Sequence, residues 1–455
     1  MGESSTDQDG RLGLFGAVSI SVGGMIGGGV FAVLGVVATI AGAASWAAFT
    51  LASLVSLCAA YSYLRLNAMG DNRGGSVAQL EEYLDDASIA GMVGWTLLFG
   101  YVGAIAMYAY AFGSFAVALT PGGVAAAVPL GEALLRPAYS VLAVALFVGL
   151  NVLGARATGT SEEVLVVAKV AVLLAFGALG VWFGARQGSM EYGFDTLGSV
   201  TPVVMATAVS FVSFQGWQLL MYDQESIRNV ETNLPRAIYA SILITILVDG
   251  LIAIVVTSLA APDVIQQHPE RALAIAVEPI VGGIGFTVVA VAAVFSTGSA
   301  INGTLFSAAN FAKGMVSDGL LPDETGRAGA DGAPRRTVLL LGGIAAVFTA
   351  YGSLDAITSF GSLAFMGVFG VVCAIAFARR DHESVNPVAP ALGAVGCGAF
   401  AVLLGVHLWR AERGTFWAVL ILAAAVLAVE TVYFERETVL DGVERAEEAL
   451  TPDEG

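Results

Sequence analysis

Charged residues are scarce in this sequence, and lysine is the scarcest of them. Only 13% of the 455 residues are charged, and the only lysines are Lys169 and Lys313. Soluble globular chains carry about 25% charged residues. The chain is instead 57% hydrophobic with a mean hydropathy of +0.80, which predicts a polytopic protein surrounded by a lipid bilayer. A net charge of −17 argues against nucleic acid as a partner, and the acidic, lysine-poor composition resembles that of halophile proteins.

Cysteine and histidine are also rare, with three residues of each. The six residues are Cys58, Cys373, Cys397, His268, His382 and His407. The cysteines fall in apolar runs and the histidines are scattered, so no spacing indicates a disulfide framework, a metal site or a catalytic triad. A phosphate-binding Walker loop is absent as well. We therefore expect no cofactor, no ATP-driven pump and no enzyme.

Windows of about 19 residues predict twelve membrane spans. Their approximate limits are 12–40, 43–64, 88–119, 137–155, 161–184, 198–225, 237–260, 279–313, 337–353, 355–378, 388–410 and 415–435. The polar, acidic N-terminus MGESSTDQDG has no basic region before the first span, so we expect no cleaved signal peptide.

The loops differ in their content of basic residues. If the N-terminus is cytoplasmic, fourteen lysines and arginines lie on the inner side and only five on the outer side. Inner loops of membrane proteins are enriched in these residues. We therefore expect both termini to be cytoplasmic in a multi-pass protein of the plasma membrane.

The first predicted span contains the glycine-rich stretch SVGGMIGGGVFAVL at 21–34. Gly23, Gly24, Gly27 and two further glycines lie in its middle, although glycine is a poor helix former. Irregular backbone at membrane depth is tolerated only where it is buried in protein or lines a cavity, so a broken helix here would indicate a polar binding site. The alternative is close helix packing, because the glycines also have small-xxx-small spacing.

The sixth predicted span is interrupted by polar residues. Ser210, Ser213, Gln215 and Gln218 flank Gly216 in its middle. Broken helices at corresponding positions of two halves of a chain indicate the substrate site of an inverted-repeat transporter. The alternative is a continuous helix whose serines bond their own backbone and whose glutamines face a neighbouring helix.

Lys169 lies within the fifth predicted span, about 10 Å beyond Glu162 by helix rise. A lysine facing lipid at this depth costs roughly 3 kcal/mol or more, and intramembrane ionisable residues are candidates for function. Since burial disfavours the charged ammonium group, Lys169 is a possible proton carrier. The alternative is that its long side chain reaches the inner membrane surface.

Polar residues of the third and eighth spans are further candidates. Ser296 and Ser299 are three residues apart and share a helix face. Their hydroxyl groups could bind a sodium ion or an ammonium group, or join neighbouring helices. Tyrosine is often an interfacial anchor, an interpretation that we favour for Tyr108 and Tyr110, whereas Tyr101 lies deeper.

Five motifs resemble those of one transporter superfamily. They are GGMIGGGVF at 23–31, RGGS at 73–76, SFQGW at 213–217, LPRAI at 234–238 and SDGLLP at 317–322. On these motifs, over about residues 11–380, the chain is identified as a member of the amino acid, polyamine and organocation (APC) superfamily. It resembles in particular the archaeal proton-coupled amino acid transporters. Gln218 departs from the pattern, because some members carry a gating acid there.

This resemblance implies an all-α polytopic membrane protein. About twelve transmembrane helices would form a LeuT-type five-plus-five inverted repeat with broken first and sixth helices. The first repeat would cover 11–184 and the second 198–378, followed by two additional helices at 388–435. A cytoplasmic tail at 1–10 and an acidic cytoplasmic tail at 436–455 would complete the chain.

The resemblance also implies a small-molecule amino acid as the substrate. The broken first helix would present backbone N–H groups of Gly27, Gly28 and Gly29 to the substrate carboxylate, and carbonyl groups near Phe211 to Phe214 would bind its ammonium group. Half-helix ends favour such charges. The expected substrate-binding residues are Met25, Gly27, Gly28, Gly29, Tyr101, Phe211, Val212, Ser213, Phe214, Gln215 and Trp217.

Lys169 falls where the proton-coupled members carry a lysine in place of the cation of sodium-coupled relatives. We therefore expect it against Gly23 and against Ser296 or Ser299. The implied function is secondary active transport of amino acids by alternating access, with a proton as the coupling ion. Uncoupled amino acid or polyamine exchange, sodium-coupled symport, a channel and a membrane-embedded enzyme remain alternatives, and the oligomeric state is open.

Overall fold

The computed structural model of the protein describes residues 12–70, 80, 82–83, 87–122, 131–153, 159–198, 200–317, 320–321 and 335–434. Over these residues the chain is helical, apart from turns and one isolated β-bridge between Leu12 and Ile227. This confirms the predicted all-α fold. The RGGS motif, half of SDGLLP and both tails lie outside the described residues.

Fifteen α-helices, numbered in chain order, make up the described part of the fold. They are α1 (Leu14–Gly28), α2 (Leu34–Ala41), α3 (Ser45–Met69), α4 (Ala87–Leu119), α5 (Glu132–Val152), α6 (Gly159–Gln187), α7 (Val200–Ser210), α8 (Leu219–Tyr222), α9 (Val230–Leu259), α10 (Pro262–Gln267), α11 (Ala272–Ser317), α12 (Arg335–Tyr351), α13 (Leu354–Ala378), α14 (Val388–Ala411) and α15 (Arg413–Phe434).

Nine helical stretches of the described chain are long and apolar enough to cross a membrane. The first of them, Leu14–Met69, contains two predicted spans, which separate at Gly42, where the left-handed φ of 54° turns the chain. The ninth predicted span corresponds to α12 and the twelfth to α15. All twelve predicted spans are therefore helical.

The first predicted span is interrupted, as predicted, but not in the way that its glycines suggested. The chain stays α-helical through Gly28, and Gly29–Val33 then forms a π-helical turn. In that turn the N–H group of Leu34 donates to the carbonyl oxygen of Gly29. A π turn keeps backbone groups hydrogen-bonded in an apolar environment, which an unwound segment would not. The prediction of an unwound backbone at the glycines themselves was therefore wrong.

The sixth predicted span is also broken. A 3₁₀ segment at Phe211–Gln218 separates α7 from α8. Ser362 of α13 supports the break, because its hydroxyl accepts a 3.1 Å hydrogen bond from the N–H of Val212 and donates a 2.8 Å bond to the carbonyl oxygen of Val209. A side chain of another helix thus satisfies backbone groups that the break releases.

The two interrupted segments occupy the centre of the protein. Of the apolar windows, 94% is buried inside the protein for Leu14–Met69 and 89% for Val200–Tyr222, compared with 22% for Ala133–Val152. The outer helices expose large apolar side chains such as Leu142 and Ile284, as expected for surfaces that face lipid. The chain is a multi-pass membrane protein whose irregular backbone lies away from the lipid.

Candidate functional site

The two interrupted segments meet backbone to backbone at Gly24 and Gly216. A Cβ atom on Gly24 would lie 3.2 Å from the Cα atom of Gly216, and a Cβ atom on Gly216 would lie 2.7 Å from the backbone nitrogen of Met25. Only glycine permits such an approach. The close-packing interpretation therefore applies to these glycines, and the packing also brings the expected substrate-binding residues of both segments together.

Gly27 and Gly28 of α1 admit two other neighbouring helices. A Cβ atom on Gly27 would lie 2.8 Å from the Cβ atom of Ala300 and 3.7 Å from Ser296 Oγ, both on α11. One on Gly28 would lie 2.8 Å from the ring of Tyr108 on α4. Small residues at one site thus allow several helices to approach the first helix closely.

Tyr108 joins the two interrupted segments through its hydroxyl group. This group donates a 3.0 Å hydrogen bond to the carbonyl oxygen of Gly24 and accepts a 3.0 Å bond from Gln215 Nε2. Because Tyr108 is fully buried, its interpretation as an interfacial anchor was wrong. Its spacing of seven residues from Tyr101 was the missed signal, since residues at that spacing share one helix face.

Tyr101 belongs to a second buried chain of hydrogen bonds. Its hydroxyl group donates a 3.1 Å bond to Gln218 Oε1, and Gln218 Nε2 donates a 2.9 Å bond to the hydroxyl group of Tyr63 on α3. An amide can accept on one side and donate on the other. Gln218, which is neutral, therefore holds α4 and α3 against the broken sixth span without burying a charge.

Trp217 is oriented toward α3 by its indole nitrogen. Nε1 donates a 2.8 Å hydrogen bond to Ser56 Oγ, and the indole ring packs 5.2 Å from the ring centroids of both Tyr63 and Phe369. Most of the other expected substrate-binding side chains are fully buried as well. They are Met25, Tyr101, Phe211, Val212, Ser213, Phe214 and Gln215.

Several buried polar atoms close to the two breaks have no hydrogen-bond partner in the described part of the chain. Among them are Ser213 Oγ, Gln215 Oε1 and Ser296 Oγ. An unsatisfied buried polar group costs about 1–3 kcal/mol. Their presence around the contact between Gly24 and Gly216 is what a site for a polar ligand requires.

Lys169 of α6 reaches the first helix. Its ammonium group donates a 2.9 Å hydrogen bond to the carbonyl oxygen of Gly23, and the residue is only 5% exposed. The side chain is therefore directed into the protein. Ser296 of α11 lies beside Gly27, which is one helical turn beyond Gly23 on α1. Ser299, also on α11, is only half-buried.

Asp249 of α9 was missed by the sequence interpretation. It is fully buried and its carboxylate group lies against Gly29, where an added Cβ atom would be 3.1 Å from its Cγ atom. The signal was available, because Asp249 is an acidic residue in the middle of the apolar run ILITILVDGLIAIVV. Ser362, Tyr63 and Ser56 were also missed, since ordinary polar residues in helices give no such signal.

The sequence of the chain is similar to those of known membrane proteins. A family model described as amino acid permease matches residues 12–430. An uncharacterized protein of Methanocaldococcus jannaschii is 28% identical, covering 93% of this chain and 95% of its own. The inner membrane transport protein YbaT of Escherichia coli is 28% identical over 68% and 70%. The serine/threonine exchanger SteT of Bacillus subtilis is 23% identical over 69% of both chains.

Proposed function

Because the chain belongs to the amino acid permease family, we propose that it is a secondary active transporter that moves amino acids across the plasma membrane by alternating access. The observation that carries this proposal is the contact of two interrupted helices at Gly24 and Gly216, together with nearby buried polar atoms that have no hydrogen-bond partner among the described residues. The two inverted repeats would cover 11–184 and 198–378, with both termini in the cytoplasm.

The substrate would be bound through its two charged groups. The C-terminal end of α7 continues into the 3₁₀ segment at Phe211–Gln218, and a helix C-terminus favours a cation, here the substrate ammonium group. A helix N-terminus with unpaired N–H groups favours an anion, here the carboxylate, but at the start of α2 the N–H group of Leu34 donates to the carbonyl oxygen of Gly29. The N–H group of Gly29 donates to the carbonyl oxygen of Met25, so binding by that group would require this bond to exchange.

Lys169 would couple transport to the proton gradient. Its ammonium group donates to the carbonyl oxygen of Gly23, so loss of its proton would weaken a contact between α6 and the first helix, because a hydrogen bond from a charged donor is stronger than one from a neutral amine. A change of charge that alters one contact between two helices can bias the equilibrium between two conformations. Uncoupled exchange is the second candidate function, because one relative is an exchanger.

Uptake of radiolabelled amino acids into proteoliposomes tests both candidates. A panel of amino acids would be offered under an imposed proton gradient, an imposed sodium gradient, or neither. We expect saturable accumulation that needs the proton gradient and is insensitive to sodium. Accumulation that needs sodium would exclude proton coupling, and counterflow without net accumulation would establish exchange. No transport of any amino acid would overturn the proposed function itself.

A further inference from the structure

Asp249 is an acidic side chain with an unusual environment. It is fully buried in the middle of α9, and neither of its carboxyl oxygens has a hydrogen-bond partner among the described residues. Both oxygens are directed at Gly29, the first residue of the π turn. A carboxyl group therefore lies against the point where the first helix departs from α-helical geometry.

The environment of Asp249 favours its neutral form. An ionised carboxylate that is removed from water without a donor or a counter-charge is strongly unfavourable, so such a group takes up a proton or binds a cation. Binding a proton neutralises the carboxyl group, so no metal cation is then needed.

Other ionisable groups lie on the elements that pack against α9. The described charged and titratable side chains on α3, α6, α11 and the 3₁₀ turn Gln224–Ser226 are Cys58, Tyr61, Tyr63, Arg65, Glu163, Lys169, Arg186, Glu225, Glu278 and Lys313, whereas α1 and α2 carry none. Among them Lys169 bonds Gly23, about 9 Å from Gly29 by helix rise. The chain offers Asp249 no close counter-ion within its described part.

The contact of Asp249 with Gly29 is tied to the position of the first helix. Eight residues earlier on both helices, Ser21 and Ser241 form a buried 2.7 Å hydrogen bond. The two helices therefore run side by side in parallel, joined by hydroxyl groups at one level and by the contact between Asp249 and Gly29 at the other. A shift of the π turn relative to α9 would therefore directly change the environment of Asp249.

We propose that Asp249 is a proton-binding site of the transport cycle. It is protonated while the π turn packs against it, and it releases the proton to water when the turn moves away. Protonation of Asp249 and the position of the first helix are then thermodynamically linked, so that each changes the equilibrium of the other. This proposal rests on the proposed function, and it adds to Lys169 a second ionisable group that contacts the first helix.

The first test measures gradient-driven uptake in proteoliposomes with Asp249→Asn, which resembles the protonated residue but cannot release a proton. We expect the ratio of uptake with an inward proton gradient to uptake without it to fall to about one. Thr245→Val is the matched control, because it changes a buried side chain one turn away on α9, and it should keep the wild-type ratio. An Asp249→Asn ratio equal to that of the wild type would overturn the proposal.

The second test reads the protonation directly and does not depend on the proposed coupling. Infrared spectra of the purified full-length protein at neutral pH should contain a protonated carboxyl band that Asp249→Asn removes and Asp249→Glu shifts. If Asp249→Asn does not fold, as judged by size-exclusion chromatography, the shift with Asp249→Glu carries the test. A spectrum with no carboxyl band that depends on residue 249, or a band that is lost when sodium chloride replaces potassium chloride, would overturn the proposal in favour of a bound cation. A wild-type protein that keeps the band but ignores the proton gradient would refute the proton coupling proposed above.

Discussion

At the scale of single residues, Tyr108 holds together the two backbones that make up the candidate site. Its hydroxyl group is hydrogen-bonded both to the carbonyl oxygen of Gly24 and to the amide of Gln215, and its ring covers Gly28. A hydroxyl group can donate once and accept from another donor. Tyrosine is therefore required at this position for its polar group as well as for its size.

We expect Tyr108→Phe to lower stability by about 1–2 kcal/mol, because the carbonyl oxygen of Gly24 and the amide of Gln215 lose a buried partner. The apparent KM for the substrate should rise as well. Thermal unfolding in detergent and uptake kinetics check both effects. Tyr110→Phe is the control, since that half-buried ring stacks on Arg136 and lies away from the breaks. Identical behaviour of the two variants would contradict the role of Tyr108.

The two lysines of the chain provide a matched pair. Lys169 is buried and bonded to Gly23, whereas Lys313 is exposed. We expect Lys169→Met, which keeps the length of the side chain but binds no proton, to reduce uptake driven by a proton gradient by about tenfold or more, a difference of about 1.4 kcal/mol. Lys313→Met should transport as the wild type does. Full gradient-driven uptake by Lys169→Met would show that the proton uses another group.

At the scale of elements, glycine decides how the interrupted segments pack. We expect Gly216→Ala to destabilise the protein by about 1–3 kcal/mol, because its Cβ atom would overlap the backbone of Met25 and well-packed interiors resist added atoms. Substrate-dependent stabilisation should be lost as well. The midpoint of unfolding, measured with and without a transported amino acid, checks both effects.

Gly367→Ala is the matched control for this substitution. Gly367 lies within α13 and has no atom within 4 Å of an added Cβ, and alanine is favoured over glycine in helices by about 0.5–1 kcal/mol. It should be neutral or stabilising. If Gly216→Ala were equally harmless, the close contact between the two interrupted segments would not be needed for stability or for binding.

At the scale of the whole molecule, the distribution of basic residues predicts that both termini face the cytoplasm. The three native cysteines lie within helices, so a cysteine introduced in a tail can be followed with a membrane-impermeant thiol reagent. We expect Ser5→Cys and Thr451→Cys to react only after the membrane is permeabilised. A variant at the exposed C-terminal residue of α6 on the opposite side, Gln187→Cys, should react in intact cells. Labelling of either tail in intact cells would contradict this orientation.

The sequence predicted the elements better than the contacts between them. All twelve spans and the break of the sixth were read from apolar runs and from the polar cluster around Gly216. The position of Lys169 beside Gly23 agrees with the expectation from the resemblance. The form of the first break was not predicted, because glycines reduce helix propensity but a π turn restores the hydrogen bonds that an apolar environment demands.

The sequence by itself determined that the chain crosses the membrane many times, because apolar length is a property of each segment and acts regardless of its neighbours. Only the tertiary structure decided which side chain meets which glycine of the first helix. Tyr108 and Asp249 are far apart in the sequence, and they come together at Gly28 and Gly29 because small residues there let two different helices approach closely. Such contacts depend on the fit of several surfaces at once, and no single segment encodes that fit.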